Sequence, residues 1–412
     1  MRPMRPRPIA RAARIGLLLM AVAALAGLGT VRARTQAPSP TVLPPWQPGT
    51  LDVHLINTGR GSAALLVLPD GTSLQFDAGD GGFLPGSPRG VPVVPDTSRR
   101  PGEWIARYVS RVLRPFRTPE LDYAVVSHLH DDHMGGLPVL AQQVPIRRIL
   151  DRGWPDYADG IGPAPAKGTA EAYIAFAKAD PSRMQRFEPG RADQITLRRD
   201  PASYPTFVVR NIVANGQVWT GAGTATRSRF PADWRTLPPA QQPNENESSL
   251  GIRVSFGAFD FYTGGDIPGR ARLGTAEWHD IESAVAPAVG PVEVAGANHH
   301  GNRDSTNATW VSTLQPRLWI LQVWSSDHPG HDVLDRMLSR TLYDGERDVL
   351  ATSVHPANRL VIGPMLDRLL VSRGHIVIRV DHGGATYQVF AVDDTDESMR
   401  VTAVHGPYTS RP

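Results

Sequence analysis

Cysteine is absent from all 412 positions, which excludes disulfides, thiolate metal sites, a cysteine nucleophile and lipid attachment through a thioether. Charge of one sign is also scarce: the formal excess is only +3. Residues 1–33 hold Arg2, Arg5, Arg7, Arg11, Arg14 and Arg32 and no acid, so the remainder of the chain is mildly acidic. Overall charge therefore writes no polyelectrolyte grip on nucleic acid into the body, and no strong basic patch is expected. At 41% hydrophobic and 20% charged residues, the composition is that of a folded globular protein and not of a disordered one.

No apolar run near the N-terminus reaches the roughly 20 residues of a membrane span. The run at 15–29 follows an Arg-rich start and precedes Val31-Arg32-Ala33. This order of basic, apolar and small-residue regions predicts a secretory signal peptide over 1–33, with an uncleaved anchor as the alternative. The protein is thus expected to be exported, periplasmic or extracellular, with no stable membrane span once the signal is removed. Residues 34–50 contain repeated Pro and read as a linker.

Strands are expected at 51–56, 63–68 and 73–76, broken by Gly59, Gly61 and Pro69-Asp70-Gly71. A Gly/Pro-rich loop covers 80–101, and helical spacing of apolar residues covers 104–113. Further strands are expected at 121–126, 146–150, 206–213, 250–256, 260–262, 292–296 and 318–323, with helices at 137–143, 169–179, near 275–287 and near 333–338. A hairpin over 375–380 and 385–390 closes a domain spanning 51–395, and 396–412 reads as a C-terminal tail. Residues 152–245 read as an elaboration of one domain, because no linker separates two apolar cores. Alternation of strands, hairpins and helices predicts mixed α/β layers.

A histidine gap is as informative as the missing cysteine: none lies between His133 and His279. What stands before the gap is dense. His128-x-His130-x-Asp132-His133 places four potential ligands directly after a buried strand. Imidazole with carboxylate suits zinc, with manganese as the alternative. Side chains two apart on an extended segment point the same way, so His128 and His130 can bind one ion. The chain then turns into a helix, from which Asp132 and His133 can reach a second. Asp266, after an apolar strand and a Gly pair, is a candidate bridge between two cations.

Ser127-His128-Leu129-His130-Asp131-Asp132-His133-Met134-Gly135-Gly136 resembles the signature of metallo-β-lactamase-fold hydrolases. Four further segments resemble the branch typified by the C-terminal hydrolase domain of ComEC-type competence proteins. These are Val53-His54-Leu55-Ile56-Asn57-Thr58-Gly59-Arg60-Gly61-Ser62, Phe76-Asp77-Ala78-Gly79, the pair 246–250 with 263–266, and His299-His300-Gly301 with His328-Pro329. They run in order over nearly the whole body. The resemblance implies an αββα sandwich with the site where loops of both sheets converge. It implies His128, His130 and Asp266 around a first ion, and Asp132, His133, Asp266 and His300 around a second. Of the last pair, His300 occupies the position resembling the family's ligand and His299 a supporting one; Asp77 is expected to accept a hydrogen bond from a ligating imidazole. Two departures stand out. Asn57 and Ser62 replace acids of the family's first turn, and the histidine gap removes a third imidazole from the first site, which argues against β-lactam and thioester hydrolysis.

The expected chemistry is phosphodiester hydrolysis of a nucleic acid or small molecule by a hydroxide bridging two divalent ions, oriented by Asp132. His328 either protonates the leaving oxygen or caps the following helix. Arg60, Arg270 and Arg303 are candidates for lining a groove. Rival readings are a lactone, ester or β-lactam hydrolase of the same fold, or a non-catalytic secreted module stabilised by metal. His279 is not taken as a ligand, His54 is taken as a packed strand residue, and His331, His355, His375, His382 and His405 as surface or turn positions.

Overall fold

The computed structural model of the protein describes residues 41–81, 87–157, 169–270 and 274–411. The expected signal segment and the first part of the expected linker lie outside the described residues.

Apolar residues on both sides of short strands dictate layers on both faces of a sheet. In β2 (Ala63–Val67), Ala64 and Leu66 join one apolar cluster while Ala63, Leu65 and Val67 join another. β2 lies between β1 (Leu51–Leu55) and β3 (Ser73–Ala78), antiparallel to both. The parallel strands β4 (Leu121–Val125), β5 (Ile146–Asp151) and β6 (Met184–Arg186) extend that sheet.

The next nine strands form the second sheet: β7 (Phe207–Ala214), β8 (Gln217–Trp219), β9 (Thr226–Ser228), β10 (Gly251–Phe256), β11 (Phe259–Gly264), β12 (Val294–Gly296), β13 (Leu318–Leu321), β14 (Asp348–Ala351) and β15 (Leu369–Val371). The chain then returns to the first sheet with β16 (His375–Val380), β17 (Thr386–Val392) and β18 (Val401–Thr409). The spatial orders are β18-β17-β16-β1-β2-β3-β4-β5-β6 and β15-β14-β13-β12-β11-β10-β7-β8-β9.

The inner faces meet in one core, with Leu51, Val53, Leu66 and Phe76 from the first sheet beside Val254, Phe261 and Ile320 from the second. Helices cover the outer faces. α1 (Pro101–Leu113), α2 (Asp131–Met134), α3 (Leu137–Gln143) and α4 (Thr169–Ala179) bury Ile105, Met134, Leu140 and Tyr173 against the first sheet. α5 (Glu282–Val289), α6 (Ala308–Leu314), α7 (His331–Leu338) and α8 (Pro356–Ile362) bury Val285, Trp310, Leu334 and Ile362 against the second. This is the expected four-layer αββα sandwich.

Several boundaries differ from expectation. Residues 41–50 of the expected linker are docked on the body: Leu43 N donates to Met399 O at 2.9 Å, and Gly49 N donates to Pro69 O at 2.8 Å. Residues 152–245 are built into both sheets, supplying the edge strand β6 and the paired strands β7 and β8. The expected tail contains β18, which pairs antiparallel with β17. The helix expected near 275–287 is a 3-10 turn, Glu277–His279, followed by α5. No helix among the described residues is long and apolar enough to cross a membrane.

Candidate metal centre

β4 is buried along its whole length and delivers Val126-Ser127-His128 to the end of the sheet. The chain stays extended to His130, which opens α2 with φ −85° and ψ 148°. α2 then turns Asp132 and His133 inward, both buried. The glycine turns predicted from sequence lie against it. Ser62 N donates to the Asp132 carbonyl at 2.9 Å, and a Cβ added at Gly61 or Gly79 would stand within 2.0 or 2.1 Å of that oxygen. Only glycine permits so close a backbone approach.

The remaining groups come from the second sheet. Asp266 follows β11, its N–H donating to Ser249 Oγ at 3.0 Å. His299 and His300 follow β12 with φ of 47° and 55°. Two consecutive left-handed non-glycine residues are costly, on the order of 1–3 kcal/mol each, and such strain concentrates at functional sites. Here the turn carries both imidazoles to Asp266: His299 Nε2 lies 3.5 Å from Oδ2, and His300 Nε2 lies 3.5 Å from Oδ1.

Two groups of donor atoms result, each with all its atoms within 4.8 Å of one another, and Asp266 belongs to both. One contains His128, His130 and Asp266; the other contains Asp132, His133, Asp266 and His300. His128 Nε2 is 3.0 Å from His130 Nδ1 and 3.8 Å from Asp266 Oδ2. His133 Nε2 is 3.0 Å from Asp266 Oδ1, and His300 Nε2 is 3.2 Å from Asp132 Oδ2.

The chemistry of these donors decides what fits. His133 Nδ1 lies 2.9 Å from Asp77 Oδ2, and His300 Nδ1 lies 3.1 Å from the Gln322 carbonyl. Both partners accept, so each Nδ1 carries a proton and each Nε2 is the nitrogen that faces the centre, free to ligate once its own proton is displaced. Those two Nε2 atoms are 3.2 Å apart, beside the carboxylate oxygens of Asp132 and Asp266. Asp266 Oδ1 is buried and faces the imidazole nitrogens of His133 and His300, at 3.0 and 3.5 Å. Converging imidazole nitrogens and carboxylates need positive charge between them, which a divalent cation supplies and which a proton alone supplies only in part. The residues fit a metal pair.

The electrostatics carry the same demand. Burial by itself would raise the Asp266 carboxyl, but His133, His299 and His300 hold it well below the ordinary carboxylate range. Burial would likewise lower His133, yet Asp266, Asp132 and Asp77 hold it well above the ordinary imidazole value. Against its own burial, His299 is pushed up to about 9 by Asp266, by its 2.7 Å contact with Asp304, and by Asp132.

Around this centre, Asp77 contacts His133 through Oδ2, and its Oδ1 accepts from Ser127 N at 2.7 Å. His328 stacks on His300, with ring centroids 4.7 Å apart and an interplanar angle of 27°. It does not cap α7, whose N-cap is Gly330, and its Nδ1 is buried without a partner. Ser62 brings its hydroxyl to 3.2 Å from His300 Nδ1.

Other candidates lie elsewhere. Arg60 is buried and donates to the carbonyls of Gly59 and Val91, so it lines no groove; Arg270 and Arg303 are exposed. His279 is outside both donor groups, buried with Nδ1 2.7 Å from Glu247. His355 and His375, expected at surface or turn positions, are buried: His355 caps α8, and His375 Nδ1 accepts from Asn57 N at 3.0 Å. Sequence reasoning missed Glu245, whose carboxylate accepts from the Leu129 amide at 2.7 Å between the first two histidines.

Residues 111–211, which include the His128–His133 segment, match the family model described as Metallo-beta-lactamase superfamily. Over that segment the chain is similar to this superfamily, and the four-layer αββα sandwich described above is the metallo-β-lactamase fold. No curated protein matches the sequence.

Among solved structures, the chain is similar to CmlA, a diiron β-hydroxylase from Streptomyces venezuelae, at 12% identity and a TM-score of 0.38 over 74% of this chain and 53% of CmlA. It therefore spans about half the length of that protein. It is also similar to Igni18, a metallo hydrolase from the archaeon Ignicoccus hospitalis, at 10% identity and TM-score 0.35 over 73% of this chain and 95% of that one. A third likeness is MEM-A1, a subclass B3 metallo-β-lactamase from a soil metagenome library, at 12% identity and TM-score 0.32 over 62% and 80%.

Proposed function

We propose that this protein is an exported phosphodiesterase or nuclease that works with two divalent cations, zinc or manganese, in the manner of the ComEC-like branch it resembles. One observation carries the reading: two donor groups meet at a single shared carboxylate, Asp266. Binding two like-charged ions at one point is costly without such a bridge and usually serves hydrolysis. When bound, a pair of divalent cations supplies Lewis acidity toward a phosphoryl group and acidifies water.

The chain's own residues account for the rest. Asp77 and the Gln322 carbonyl hold the Nδ1 protons of His133 and His300, fixing which nitrogen of each ring faces the centre. Asp132 presents Oδ2 beside both rings, placed to orient a water for attack on phosphorus. His328, stacked on His300 with a buried Nδ1 that lacks a partner, is a neutral ring whose proposed role is contact with a substrate oxygen. The donor set around the first ion has two imidazoles and a carboxylate, without a third imidazole, which favours a phosphoryl substrate over a β-lactam.

The test is a substrate panel on the purified protein with zinc or manganese restored. Turnover of bis(p-nitrophenyl) phosphate or DNA supports the reading. Turnover of neither, with hydrolysis of nitrocefin or a lactone instead, removes it in favour of the ester and lactam alternative.

A further inference from the structure

The stretch between β5 and β10 contains a buried ion pair that the proposed chemistry does not use. Arg152 and Glu245 are 2% and 4% exposed. Arg152 Nε donates to Glu245 Oε1 at 2.7 Å, and Nη2 donates to Oε2, forming a two-pronged contact. Glu245 Oε1 also accepts the backbone N–H of Leu129, at 2.7 Å. Arg152 is held in turn by Asn215, at the tip of the β7–β8 hairpin. Its Nη1 donates to Asn215 Oδ1 at 3.3 Å, and its carbonyl accepts from Asn215 Nδ2 at 3.0 Å.

Leu129 is the residue between His128 and His130. Its side chain is buried in the apolar cluster beneath the helices of the first sheet, while its amide is held by Glu245. The residue is thereby fixed through two independent attachments, and the two imidazoles that flank it acquire a set spacing. A buried ion pair is a poor source of stability, because desolvating both charges offsets most of their attraction. A positional role explains why one sits here.

We infer that Glu245, clamped by Arg152, is a positioning residue for the ion held by His128, His130 and Asp266, and leaves the ion of Asp132, His133 and His300 unaffected. The inference rests on the two-ion reading above. It gives the 152–245 stretch a purpose, since both members of the pair and Asn215 belong to it.

Zinc titration of the whole, metal-stripped protein against a competing chelator tests this without any activity assay. The parent protein should bind two ions in resolvable steps. In Arg152→Met combined with Glu245→Leu, an apolar pair replaces the charges and the Leu129 amide loses its acceptor. One step should weaken by about 10–100-fold, the cost usual for an outer-shell partner, with the other unchanged. Glu245→Gln, which keeps an acceptor oxygen, should restore most of the loss.

If the double variant does not fold, Arg152→Lys decides: a smaller loss confined to one step supports the inference. Equal loss at both steps, or none, overturns it. A parent that binds fewer than two ions overturns both this inference and the reading beneath it, whereas a parent that binds two with unchanged variants overturns this inference alone.

Discussion

His133 and His54 are equally buried, at 1% exposure each, yet their surroundings differ in kind. His54 sits in β1 with Nδ1 3.1 Å from the Tyr108 hydroxyl. The nearest carboxylate, Asp52, is 3.8 Å away and already committed to Arg379, which reaches it through two nitrogens at 2.8 and 2.6 Å. Burial, with Arg379 and His375 nearby, takes His54 down to about 3, so it stays neutral. His133 instead faces three carboxylates, with its inward nitrogen 3.2 Å from that of His300. Burial of a histidine marks nothing by itself; what distinguishes a site is imidazole nitrogens and carboxylates converging so that positive charge is required between them.

The strongest way to break this contrast is substitution. Asp266→Ala should cut hydrolytic turnover by more than about 100-fold, beyond what even an outer-shell change costs a metal site. His54→Gln should leave turnover within about twofold while lowering the melting temperature. Comparable losses of turnover in both, measured on one phosphodiester substrate, would erase the distinction.

Metal removal comes next. Ions that bind the folded state alone stabilise it by roughly 3–4 kcal/mol at 100–1,000 times their dissociation constant. A chelator should therefore lower the parent's unfolding free energy by about that amount and leave Asp266→Ala unmoved, read by denaturant titration.

pH sharpens the comparison from the other side. With His54 depressed in the folded state, the unfolded chain binds the extra proton below about pH 6.5. Stability from this residue is therefore complete above that pH and is lost as the pH falls toward 3. Between pH 6.5 and 5 the loss should be roughly 2 kcal/mol at most, at about 1.4 kcal/mol per unit. His54→Gln should flatten that part of the stability profile; an unchanged slope would count against a neutral buried ring.

The smallest effect belongs to Tyr108→Phe, which removes one buried hydrogen bond and should cost about 1 kcal/mol. Metal stoichiometry should not change.

How much of this was legible in the sequence follows from how far apart the partners lie. The segment from Ser127 to Gly136 could be read because ligands, strand and turn are contiguous. Asp266 announced itself through the Gly pair before it, and Asp77 through the turn after β3. The Arg152–Glu245–Leu129 contact carries no local signal: its members come from three places, and an acid in an Asn-rich stretch has no marked partner. β18 escaped for a different reason. It is an edge strand with mixed exposure, and Gly406-Pro407 inside it reads as a break. Arg60 misled because its position beside a motif says nothing about whether its guanidinium faces solvent or backbone carbonyls.

The pairing of β1 with β16 has a bearing on synthesis. As the chain emerges, the histidine-rich loop is complete long before residues 375–380 exist to close the sheet beneath it, and before Asp266 and His300 have been made. A nascent fragment thus offers passing ions only a partial grip. Both donor groups are complete only when the two layers have been made and brought together.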